Sequence, residues 1–82
     1  MNVFPNPALR GGNFKIVLSE NINLQTFRIF IYSVHGALIT TINNPLYMNE
    51  MNVDSRYSAG VYHVVLHDNK TNRRSVVNFI VN

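Results

Sequence analysis

Apolar residues in this chain recur at every second position, and nowhere does a helical repeat persist. Phe14, Ile16 and Leu18 are separated by Lys15 and Val17, and Phe27, Ile29 and Ile31 by Arg28 and Phe30, running on to Tyr32. A period of two sends successive side chains to opposite faces of a pleated strand, whereas a helix buries a stripe of period 3.6. Further strands are expected from Ala37 to Ile42, Tyr47 to Val53, Val61 to Leu66 and Arg74 to Val81. The β-branched and aromatic residues that fill these segments suit a half-buried pleated surface. Turn chemistry falls between them. Ser33-Val34-His35-Gly36 reads as a tight hairpin turn, Asn43-Asn44-Pro45 as a loop, and His67 to Asn72 as polar turn material. A helix is expected only as a brief turn, at Tyr57-Ser58-Ala59.

Short strands at this spacing imply an all-β fold, a small immunoglobulin-like β-sandwich of six to seven antiparallel strands. Two half-apolar sheets can bury one another without helices. The inward set of the fifth segment is expected to be Tyr62, Val64 and Leu66, and that of the last Val77, Phe79 and Val81. Eighty-two residues suffice for one domain, so residues 1–82 read as a single unit. With 46% hydrophobic and 13% charged residues, the chain is globular, not disordered. No apolar run approaches the roughly 20 residues that span a bilayer. No secretory leader follows Met1, which reads as an added start, so any export signal is expected on a parent chain.

The residue inventory argues against several functions. The net charge is only +3, and the basic residues are scattered, which does not favour nucleic-acid binding. There is no cysteine, so disulfides, thiol catalysis and thiolate metal sites are excluded. His63 and His67 share a strand face but stand about 13 Å apart along it, too far for one ion, and His35 lies in a distant turn. The acids Glu20, Glu50, Asp54 and Asp68 are dispersed, and no serine sits in a nucleophile-elbow context. No cofactor, metal or enzyme activity is expected. Asn69-Lys70-Thr71 is a formal glycosylation sequon of the kind an Asn-rich chain produces by chance.

An ordered set of short motifs says more. Val3-Phe4-Pro5-Asn6-Pro7 opens the chain, and Gly12-Asn13-Phe14-Lys15-Ile16 follows. Next come the hairpin Ile31-Tyr32-Ser33-Val34-His35-Gly36-Ala37-Leu38-Ile39, then Val53-Asp54, then Tyr57-Ser58-Ala59-Gly60-Val61-Tyr62. In order and spacing, over essentially the whole chain, this set resembles the C-terminal sorting domains of the type IX (Por) secretion system. No single box is specific; the series is. Ser33 stands where the family often has Asp, and Arg56 and Tyr57 where it often has Leu. Asn78 and Asn82 replace the usual terminal lysines, with positive charge displaced to Lys70, Arg73 and Arg74.

The resemblance implies a tail on a larger exported protein of a Bacteroidetes-type bacterium. Its cargo, N-terminal and in cis, crosses the inner membrane by a separate signal. It passes through the periplasm to the cell surface or the medium once the outer-membrane machinery reads the tail. A sortase-like peptidase then removes the tail and can join the cargo to a surface lipopolysaccharide. The motif positions so implied are Pro5, Asn6, Pro7, Gly12, Tyr32, Gly36, Asp54, Gly60 and Tyr62.

Each has a structural reading beside the functional one. Pro5-Asn6-Pro7 fixes a turn by which the chain joins the sandwich. Gly36 and Gly60 read as places where a Cβ would clash, and Tyr62 as a core tyrosine whose hydroxyl reaches a loop carbonyl. Val17, Phe30, Tyr32, Val76 and Ile80 are apolar residues that alternation sends outward, either for cross-strand packing or for docking. In the last strand, Arg73, Arg74, Val76, Phe79, Ile80 and Val81 are candidates for recognition, because a terminal strand offers unpaired backbone groups. An immunoglobulin- or fibronectin-like surface-binding module is the alternative function, with Phe30 and Tyr32 as its aromatics, and a plain structural spacer is another. A dimer through an edge strand is left open.

Overall fold

A computed structural model describes all residues from Met1 to Asn82. The alternating segments become strands β2 (Asn13–Val17), β3 (Phe27–Ser33), β4 (Leu38–Ile42), β5 (Met48–Asn52), β6 (Gly60–Asp68) and β7 (Arg74–Val81). A short strand, β1 (Asn2–Phe4), precedes them. They form a three-stranded sheet, β1-β2-β5, and a four-stranded sheet, β4-β3-β6-β7. Every named pairing is antiparallel. The architecture is the expected immunoglobulin-like sandwich, at the upper end of the expected strand number.

The two inner faces meet over the residues that alternation assigned to them. Phe14, Ile16, Ile29, Ile31, Val64 and Phe79 are wholly excluded from water, and Tyr62, Leu66 and Val81 nearly so. Phe79 lies at the centre of an aromatic cluster. Its ring stacks on Phe14 at 4.7 Å and on Tyr62 at 5.5 Å, and Tyr57 closes the group edge-on to Phe14 at 5.8 Å. Offset stacking and edge contacts add to the large apolar area that each ring buries.

Two positions depart from the sequence reading. The helical turn lies at Leu24–Thr26, not at Tyr57-Ser58-Ala59. The Asn23 side chain accepts from the Gln25 N–H at 3.1 Å and so caps that turn, whereas Tyr57 is drawn into the core. Asn49 takes an inward place on β5 and is 6% exposed. Its Nδ2 donates to the carbonyls of Ile16 (3.2 Å) and Leu46 (2.7 Å), and its Oδ1 accepts from the Leu46 N–H at 2.8 Å. A fully satisfied amide of this kind is tolerated in a core and pins the loop before β5 to β2.

The glycine reading also changes. No neighbour lies within 4 Å of a Cβ built on Gly36 or Gly60, so neither is needed for space. Gly36 is required by its backbone instead: its φ is +85°, and its N–H closes the hairpin on the Ser33 carbonyl at 2.9 Å. Gly12 is the one with a close approach, because a Cβ there would stand 3.1 Å from the Leu9 carbonyl oxygen.

Candidate functional site

Proline has no N–H, so Pro5-Asn6-Pro7 cannot continue the β1 ladder. The chain instead leaves the three-stranded sheet and runs along the outer edge of β7. The Asn6 Oδ1 accepts from the Ile80 N–H at 2.9 Å, although the two residues are 74 apart in sequence. The Ala8 N–H donates to the Ile80 carbonyl at 2.7 Å, and the Ala8 carbonyl accepts from the Asn82 N–H at 2.9 Å. Ala8 and Val81 form a parallel bridge, and both are buried. The opening motif therefore clasps the end of the last strand. Removing one such bond costs about 1 kcal/mol. Asn6→Ala is expected to lower stability by that amount and to speed amide hydrogen exchange at Ile80 selectively. Unchanged exchange at Ile80 would rule out the clasp.

The clasp closes only part of the edge. In β7 the odd-numbered residues bond to β6, and Ile80 and Asn82 point their backbone groups the other way, to Asn6 and Ala8. By the same alternation Arg74, Val76 and Asn78 direct their N–H and C=O groups outward, where no strand is hydrogen-bonded to them, although β1 passes close to β7.

The second motif cluster is built on the loop from Asp54 to Gly60. The Asp54 carboxylate accepts from the Arg56 backbone N–H at 3.0 Å and from Nε at 3.1 Å, and a salt bridge of 3.0 Å joins Oδ2 to the guanidinium. The hydrogen bond from the Arg56 side chain holds the Asp54 carboxyl below its usual range. The same guanidinium donates to the Ile39 carbonyl at 3.1 Å and lies 5.9 Å from the Tyr57 ring centroid. Arg56 thus ties the loop to β4. Burial raises the Tyr57 hydroxyl pKa, and the buried Thr40 hydroxyl beside it draws it partly back down. Tyr62 donates its hydroxyl to the Ser58 carbonyl at 2.7 Å, the corner expected of a tyrosine at the start of such a strand. Beside this loop a shallow groove of about 420 Å³ opens to solvent, flanked by Arg10, Asp54, Ser55 and Tyr57. It brings together no pair of carboxylates and no histidine.

The third cluster is the outer face of the four-stranded sheet. The register aligns Phe30, Val65 and Val76 in one cross-strand row, Tyr32, His63 and Asn78 in the next, and Arg28, His67 and Arg74 in a third. Phe30 and Tyr32 stand 6.3 Å apart, centroid to centroid, on this face, and neither lines the groove beside the Asp54–Gly60 loop. His63 Nδ1 lies 2.6 Å from Asn78 Oδ1, and His67 Nδ1 3.1 Å from Asn69 Oδ1. Val76 and Ile80 are 58% and 43% exposed.

The candidates in the last strand therefore separate. Arg73, Arg74, Val76 and Ile80 face solvent, whereas Phe79 and Val81 are 0% and 1% exposed. Alternation points those two into the core, so no partner can touch them while the domain is folded. Sequence reasoning missed Asn49, Tyr57 and the Asn6–Ile80 bond. Only Asn49 carried a readable signal, because it falls in phase with Tyr47, Met51 and Val53 on one face of the segment.

No curated protein gives a match to this chain. Among solved structures the fold is similar to part of PorZ, an essential bacterial surface component of the type IX secretion system of Porphyromonas gingivalis. The TM-score is 0.78 at 21% identity, over 99% of this chain and 11% of that chain. At that identity the likeness speaks for the fold alone. The family model described as the secretion system C-terminal sorting domain matches residues 2–82. With the clasped final strand, the corner tyrosine and the ordered motifs all lying inside that match, the chain belongs to the secretion system C-terminal sorting domain family.

Proposed function

We propose that this type IX sorting domain acts as a folded, non-catalytic handle that its machinery grips from outside. A cargo protein precedes it on the same chain. The handle carries that cargo from the periplasm across the outer membrane, to the surface or the medium, and a sortase-like peptidase then removes it. The observation that carries the reading is the family match over residues 2–82, supported by a sandwich whose motif residues serve the fold. Pro5-Asn6-Pro7 and Tyr62 act on backbone groups, and Asp54 ties down its own loop. What is left for recognition is the outer face of the four-stranded sheet, exposed at Arg28, Val76, Asn78 and Ile80, and the charges Arg73, just before β7, and Arg74 at its start.

The test fuses residues 2–82 behind a signal peptide and a folded reporter in a host with an intact type IX apparatus. The reporter is expected outside the cell. Accumulation in the periplasm would sink the proposal. A surface-binding module, by contrast, calls for a concave site, and the aromatics nominated for it lie on a sheet face away from the groove.

A further inference from the structure

The free stretch of β7 is bounded at both ends. Beyond Asn78 the edge is closed by Asn6 and Ala8, and before Arg74 the strand turns back through Thr71 and Asn72. Between these limits Arg74, Val76 and Asn78 present outward backbone donors and acceptors over about 13 Å. That length accommodates about five residues of an added strand. Unpaired edges invite such pairing, and proteins usually blunt them. Here the blunting stops at Ile80.

The face beside this edge specifies what would fit. A residue opposite Val76 on an added strand extends the row Phe30, Val65, Val76, so an apolar side chain is favoured there. A residue opposite Arg74 lands at the end of the row Arg28, His67, Arg74. No aspartate or glutamate projects from this face of β3, β4, β6 or β7, because Asp68 pairs with Phe27 on the other side and bonds to the Lys70 N–H and Thr71 Oγ1. The row is cationic and has no countercharge. We propose that the Arg74–Asn78 edge is a strand-addition site for an extended segment of a partner protein. That segment runs antiparallel to β7, with an apolar residue opposite Val76 and a carboxylate opposite Arg74.

A second copy of this chain fits poorly. Pairing β7 antiparallel with its symmetry mate about Val76 would set each Arg74 opposite Asn78 and supply no carboxylate to either arginine. The proposal rests on edge geometry and charge, not on the export role, so its failure would leave the sorting assignment standing.

The experiment titrates the isotope-labelled 82-residue domain with a capped seven-residue peptide of threonine and valine. One valine is placed to meet Val76, and one glutamate to meet Arg74. Amide shifts are expected at Arg74, Val76 and Asn78, with the β4 edge unmoved. Lysine in place of the glutamate should weaken binding about fivefold, as expected for reversing one exposed ion pair. Val76→Pro removes an outward N–H that β6 does not use and should abolish binding while the fold persists. Arg74→Glu, which leaves the backbone intact, should reverse the preference to the lysine peptide; this variant decides the matter if the proline variant does not fold. Equal binding of both peptides, shifts confined to another edge, no binding at millimolar peptide, or concentration-dependent shifts at these amides without peptide would each overturn the proposal.

Discussion

Phe79→Ala is expected to leave the domain largely unfolded or close to it. Phe79 is completely buried and touches Phe14, Tyr62 and Tyr57 through its ring. Emptying such a site costs about 3–5 kcal/mol, part of it lost transfer energy and part the cavity left behind. A domain of this length holds roughly 4–12 kcal/mol in all. The low end applies where so small a chain buries only ~60% of its unfolded surface. The melting midpoint should therefore fall by more than about 12 °C, read by circular dichroism. Val76→Ala, three residues earlier on the same strand but on the exposed face, should stay within about 0.5 kcal/mol of the parent. If both variants melt with the parent, the inward assignment of Phe79 is wrong.

That contrast within one strand shows what could be read from the residues alone. The period of two is a local property, so β2, β3, β6 and β7 and their inward faces were legible without any knowledge of their neighbours. Strand β1 was not, because its three residues lie between Met1 and Pro5 and are too few to display a period. Tyr57 was hidden for a related reason. It sits in a loop among Ser55, Arg56, Ser58 and Gly60, where no alternation exists to assign it a side, and only the tertiary gap beside Phe14 draws it inward. The recognition candidates were half legible. Alternation separates Val76 and Ile80 from Phe79 and Val81. The Asn6–Ile80 bond, however, joins the two ends of the chain, and nothing local to either residue announces it. The clasp is also why Gly12 and the Pro-Asn-Pro box belong to one structure: the Gly11 N–H and the Gly12 carbonyl bond to Val53 at 2.9 and 2.8 Å, which fixes the segment that leads back from β7 to the three-stranded sheet.

Deleting residues 75–82 is expected to abolish export of a fused reporter and to unfold the domain in the same stroke. The deletion removes Phe79 and Val81 from the core and strips all of β7 but Arg74 from β6. It also leaves the Asn6 side chain and the Ala8 backbone without their partners. The aromatic loss alone rivals the stability of the domain. Lost export after such a truncation would therefore report on folding and say nothing about what the machinery reads. The paired substitution Val76→Ser with Ile80→Ser separates the two. Both side chains lie on the outer face and are 58% and 43% exposed, so the pair should cost no more than about 1 kcal/mol and leave the melting transition nearly in place. If the outer face of the last strand is the surface recognised, this folded variant should strand most of the reporter in the periplasm. Secretion at the parental level from a variant with an unchanged melt would remove Val76 and Ile80 from the recognition surface. Recognition would then have to rest on Arg73 and Arg74, the other candidates in this segment that face solvent.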